Sequence, residues 1–157
     1  MKKSSAVIGS LVLVTLLCFA CVCLNAQTNT APVIAKPGAF KWAALMPGVE
    51  MTVLFGDPSK SGPYTLRLRM PDGTRLAPHW HPEDENVTVM RGEFMAGMGD
   101  KFDVTSLQDL PQGSYVMMPK QMHHFAMAKG ETVVQLHGNG PFVINYVNPA
   151  DDPAKAK

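Results

Sequence analysis

The sequence carries five histidines, and their spacing is the first hint of chemistry. In Pro78-His79-Trp80-His81-Pro82-Glu83-Asp84-Glu85, two histidines stand two residues apart and a glutamate follows four residues after the second. On an extended segment side chains alternate with a period of two, so His79 and His81 point to one face and Trp80 to the other. Pro82 suits a chain reversal, after which Glu85 returns a carboxylate beside the two imidazoles at the head of the next strand. Two neutral imidazoles and a carboxylate make a donor set for a divalent transition metal. A further donor has to come from a distant strand, and His123 and His124, beyond Pro119, are both available. Adjacent strand residues face opposite ways, so only one of them can point at such an ion.

These residues need rigid elements to hold them, and the sequence offers strands rather than helices. After residue 26 no window sustains apolar residues at i, i+3, i+4 and i+7. Short runs of alternating or β-branched residues recur instead, each ended by a turn signal. They are Met51–Phe55, Tyr64–Met70, Asn86–Met90, Glu93–Ala96, Ser114–Met118, His124–Ala128, Thr132–His137 and Pro141–Val147. Lys129-Gly130, between two of these runs, has hairpin-like spacing. Residues 101–110 have room for a helical turn at most. Thirteen Gly, thirteen Pro and only 8% aromatic residues agree with a turn-rich, all-β chain. Periodicity alone leaves a sandwich, a jelly roll and a small barrel open.

The spacing resembles the cupin family closely. The first cupin motif is filled at every fixed position by Gly73, His79, His81, Glu85 and Gly92; in the second, Gly113, Pro119 and His124 fall in register. Gln121 stands where the second motif usually has Gly, and Ala128 where it usually has Asn. Neither position is a metal ligand in the family. The resemblance implies an antiparallel jelly-roll (cupin) β-barrel. It also implies one divalent metal (Mn, Fe, Ni, Co, Zn or Cu) held near one mouth by His79, His81, Glu85 and His124. His123 then becomes a rim or surface residue.

The N-terminus reads as an address. Lys2 and Lys3 precede an apolar stretch from Ala6 to Leu24, and Asn25-Ala26-Gln27-Thr28 follows with a small residue for cleavage near Ala26. This predicts a signal peptide over residues 1–26 and an exported, periplasmic or extracellular protein without permanent membrane insertion; a retained membrane anchor is the alternative. Cleavage would remove Cys18, Cys21 and Cys23, the only cysteines. Any metal chemistry then falls to His and carboxylates. Residues 27–39 read as an arm, 40–148 as the barrel and 149–157 as a polar tail. The arm and the apolar Phe40–Met46 segment make a homodimer plausible, since exposed sheet edges invite pairing. Phe40 and Trp42 read as an apolar plug.

The formal charge is +1, with 14 basic against 13 acidic residues. That balance argues against a nucleic-acid partner held by phosphate contacts. The expected partner is a small molecule. Three histidines and a glutamate leave coordination positions open, as in catalytic rather than closed structural sites. One reading is therefore a metal-dependent enzyme, dioxygenase-like with a redox metal or isomerase-like with a Lewis-acid metal. The other is a non-catalytic module that binds metal or a small ligand. His137 either lines the cavity as a base or substrate contact, or ends its strand before Gly138-Asn139-Gly140. The methionines in or beside strands read as flexible core filler.

Overall fold

The computed structural model describes residues 31–155. The expected signal segment, its cleavage point, the beginning of the arm and the last two residues of the tail lie outside that range. From Val33 onward the chain forms one compact unit. It is an all-β, antiparallel jelly-roll barrel, with β1 Ala43–Met46, β2 Val49–Phe55, β3 Gly62–Met70, β4 Arg75–Trp80, β5 Glu85–Met98, β6 Gln108–Pro111, β7 Tyr115–Met118, β8 His124–Gly140 and β9 Asn145–Tyr146. Among the described residues no helix is long and apolar enough to cross a membrane.

Two long strands build the barrel. The second half of β8 pairs with β3 from Met70↔Thr132 to Gly62↔Gly140, while its first half pairs with β4 at Arg75↔Met127 and His79↔His124. On its other side β8 pairs with β5 along both halves, from Met98↔His124 to Asn86↔His137. β5 and β8 thus pass together from one layer to the next, and the register shifts between Val89 and Glu93 mark the bend. Gly92 (φ 73°) and Gly130 (φ 71°) supply the left-handed backbone that such bulges use. A side chain at Gly92 would run into the carbonyl oxygen of Glu131, so the close approach itself demands glycine.

This bend corrects the hairpin expected at Lys129-Gly130. Turn-like composition marks a place where a single 17-residue strand changes layer, because the partner β5 bends with it and keeps the ladder intact. The run read as a strand over 141–147 is also shorter. β8 ends at Gly140, followed by a cis Gly140–Pro141 bond, and only Asn145–Tyr146 pair, with β4. Residues 101–110 hold the anticipated single turn, a 3-10 turn at Val104–Ser106, and then a strand that periodicity did not reveal, β6.

Alternation sorts the side chains. Tyr64, Leu66, Leu68 and Met70 of β3, Val87 and Val89 of β5, and Val134 and Leu136 of β8 all face inward and are buried. Burying each of these side chains contributes roughly 1.5–3 kcal/mol. Phe40 and Trp42 lie on the outer face instead, half-buried, with Arg67 over the Phe40 ring at 5.0 Å and Arg69 over the Trp42 ring at 4.6 Å.

Candidate metal centre

The inward parity of β8 and β5 brings the chemistry together. His124 opens β8 on the same face as Ala126 and Ala128, and Glu85 opens β5 on the same face as Val87. His79 sits opposite His124 in the β4–β8 ladder, and His81 follows just beyond the end of β4. The reversal after His81 is tied to the turn before β8 by two hydrogen bonds: the Gln121 N–H donates to the His81 carbonyl at 2.8 Å, and the Lys120 N–H donates to Asp84 Oδ1 at 2.8 Å. Two segments some forty residues apart in sequence are thus locked at one end of the barrel.

His79, His81 and His124 each offer one ring nitrogen within 4.8 Å of the others, and all three are buried. Each Nδ1 meets a backbone carbonyl: His79 with Ala77 at 2.7 Å, His81 with Val143 at 2.7 Å, His124 with Met122 at 3.0 Å. A carbonyl only accepts, so Nδ1 carries the proton and donates, leaving the Nε2 lone pair free. Glu85 brings Oε1 to 3.4 Å from His81 Nε2 and Oε2 to 3.4 Å from His124 Nε2. With the proton on Nδ1 these nitrogens have none to donate to the carboxylate, and the Nε2 atoms of His81 and His124 are buried without a hydrogen-bond partner.

Such orphaned acceptors are costly in a folded core unless something fills them. Three oriented lone pairs beside a buried carboxylate fit a divalent cation, with the carbonyls as the orienting outer partners that metal-bound histidines commonly have. Protonation states point the same way. Burial, reinforced by the neighbouring His124 and His81, holds His79 down at about 3, and burial also lowers His81. Burial pushes the Glu85 carboxyl up, but contact with His124 and the charges of the three imidazoles pull it down by more, leaving it below its ordinary value. Near neutral pH His79 and His81 are therefore neutral and Glu85 is ionised, the forms in which such groups ligate metals.

The remaining walls are apolar, including Leu68, Val87, Phe94 and Leu136, and they enclose a cavity of about 30 Å³. That is room for an ion and about two water-sized groups. Phe142 stacks on the His81 ring (centroids 5.1 Å, planes 21° apart) and closes the cavity together with Met46, Ile144 and Tyr146.

His123 and His137 are not part of this cluster. His123 faces outward and pairs with Asp100 Oδ1 at 2.6 Å. His137 is exposed on the outer face of β8, opposite Thr65 and Asn86, so the expectation that it lines the cavity is corrected by one residue of strand parity. Glu83 and Asp84 are exposed in the reversal. The motif glycines Gly73 (φ 73°) and Gly113 (φ 91°) sit in turns, and Pro119 opens the turn that leads to His124. Sequence reasoning missed Tyr146, Phe142 and Met46, whose residue types read simply as core.

Residues 30–143 match the profile of a family described as the ChrR cupin-like domain. No curated protein matches the chain. Among solved structures it is similar to the polyketide cyclase RemF from Streptomyces resistomycificus (TM-score 0.62, 14% identity, 76% of this chain and 88% of that chain). KdgF from a Halomonas species is also similar (TM-score 0.55, 18% identity, 69% and 93%). A salicylate 1,2-dioxygenase from Pseudoaminobacter salicylatoxidans, solved as adducts with gentisate, shares the barrel over 63% of this chain but only 27% of its own length (TM-score 0.53, 15% identity). At these identities the likeness is one of fold.

Proposed function

The chain belongs to the ChrR cupin-like domain family of the cupins, and from that premise we propose that it is an exported metalloprotein holding one divalent transition metal through His79, His81, His124 and Glu85 and acting as a metal-dependent enzyme on a small organic molecule. The observation that carries the metal assignment is the pair of buried, unpartnered Nε2 atoms on imidazoles whose Nδ1 atoms are already bound to carbonyls. Export rests on the character of residues 1–26 in the sequence.

A metal ion held there by His79, His81, His124 and Glu85 would supply Lewis-acid polarisation or, if redox-active, chemistry with dioxygen. The chain's own residues do the rest. Ala77, Val143 and Met122 fix the imidazole tautomers through their carbonyls. Glu85 offsets one unit of the cation's charge, and the apolar wall excludes bulk water, which strengthens every electrostatic contact inside. Four protein donors leave one or two positions of a five- or six-coordinate ion for a ligand.

Elemental analysis of the purified protein tests the assignment: about one metal per chain is expected, lost when His81 or Glu85 becomes Ala. Stoichiometric metal persisting in a protein with both His79 and His81 replaced by Ala would overturn it. The second reading, a binding module without turnover, draws on the small cavity. Dioxygen consumption by Fe(II)-reconstituted protein offered catechols or β-diketones separates the two; ligand affinity without turnover across metals selects the module.

A further inference from the structure

Tyr146 stands between the buried cavity and the outside. With Met46, Phe142 and Ile144 it lines the cavity on one side and, on the other, an open groove of about 510 Å³. The rest of the groove is mainly apolar, with Leu45, Pro47 and Pro153, and its one charged residue, Asp152, is met at 3.5 Å by the exposed Lys155. The Tyr146 hydroxyl donates to Met46 Sδ at 3.6 Å, its one hydrogen bond among the described residues. A thioether is a weak acceptor, so this donor is easily redirected.

Resting on the metal-binding reading above, we propose that Tyr146 is the hydrogen-bond donor for a ligand at the metal. Its hydroxyl leaves Met46 Sδ and donates to an oxygen of a molecule whose oxygen-donor head enters the cavity and whose apolar body lies in the outer groove. The inner cavity, at about 30 Å³, takes a donor head but no organic ring, so the body belongs outside the Met46–Tyr146 partition. The class this selects is a small apolar molecule ending in a hydroxamate-, enol- or phenol-type oxygen donor.

The probe is benzohydroxamate, titrated into the Co(II)-loaded protein and followed by the visible absorption of the cobalt, with cobalt content measured in parallel. Tyr146→Phe is expected to weaken binding about tenfold with cobalt content unchanged. Met46→Leu is expected to tighten it about threefold, since the hydroxyl no longer gives up a partner on binding. A merely structural role for the pair would move both variants the same way, and that outcome, or a change under twofold in Tyr146→Phe, overturns the proposal. Acetohydroxamate, which lacks the apolar body, is expected to bind more weakly than benzohydroxamate; equal affinity overturns the groove assignment. Absence of cobalt bands before any ligand is added overturns the metal reading, and this proposal with it.

Discussion

The backbone carbonyl of Val143 lies 2.7 Å from His81 Nδ1, although the two residues are 62 positions apart in the chain. That hydrogen bond makes the segment after Pro141 a partner of the cluster as well as a cover over it. Phe142, the neighbouring residue, stacks on the same imidazole and touches Tyr64, with ring centroids 5.8 Å apart. The orientation of His81 is therefore set by residues outside the strands that carry His79, Glu85 and His124.

Phe142→Ala should consequently lower metal affinity without removing any donor. Loss of the stack frees the His81 ring and loosens the segment that presents the Val143 carbonyl. Loss of such an orienting partner typically costs on the order of 10–100-fold in affinity. Competition with a chelator of known affinity measures it, and an unchanged affinity would show that the stack plays no orienting part.

Acid should destabilise the metal-free protein. His79 is held at about 3 in the fold against an ordinary value of 6.5, so between those pH values the unfolded chain binds more protons than the folded one. Stability rises with pH in that window and is lost as pH falls through it. Urea midpoints of the apo-protein should drop steadily from pH 6.5 toward pH 3. His79→Gln should flatten the slope; a slope that survives the substitution would assign it to other groups.

Two motif glycines should differ sharply in their tolerance. Gly73→Ala meets nothing within 4 Å and pays only for its left-handed backbone (φ 73°), roughly 1–2 kcal/mol. Gly92→Ala has a similar φ and in addition drives its methyl into the Glu131 carbonyl, which should cost about 3 kcal/mol or more. Denaturant unfolding of the two variants gives the comparison directly.

Gln121 offers a gain. It is the one described non-glycine residue with positive φ, 63°, and it occupies the motif position at which glycine is usual. Relief of roughly 1–2 kcal/mol of backbone strain exceeds the roughly 0.4–1 kcal/mol entropic cost of glycine in the unfolded chain. Gln121→Gly should therefore stabilise the protein by up to about 1.5 kcal/mol, seen as a raised Tm with metal content unchanged.

Much of the barrel was legible because its runs alternate cleanly and are marked off by Gly or Pro, although the two long strands β5 and β8 each read as two short ones. The shared face of His79 and His81 could be read because strand parity is a local property that spacing along the chain expresses. Parity left His123 and His124 both open, and the resemblance to the second cupin motif selects His124. Of the two readings of His137, alternation with the buried Val134 and Leu136 of the same strand agrees with the outer face on which the structure has it. The hairpin at Lys129-Gly130 failed because a turn and a bulge use the same residues and differ only in whether the partner strand bends too.

By itself, then, the sequence pointed to an all-β chain and to the residue types of the cluster, with one face shared by His79 and His81. Tertiary structure decided what those donors meet. It oriented the imidazoles through carbonyls of Ala77, Met122 and Val143, closed the cavity with Met46, Phe142, Ile144 and Tyr146, and set Tyr146 against a thioether. Backbone carbonyls are common to every residue and leave no mark in composition. Apolar side chains that pack in a core and those that guard a cavity are the same residue types. Only their arrangement in space tells them apart.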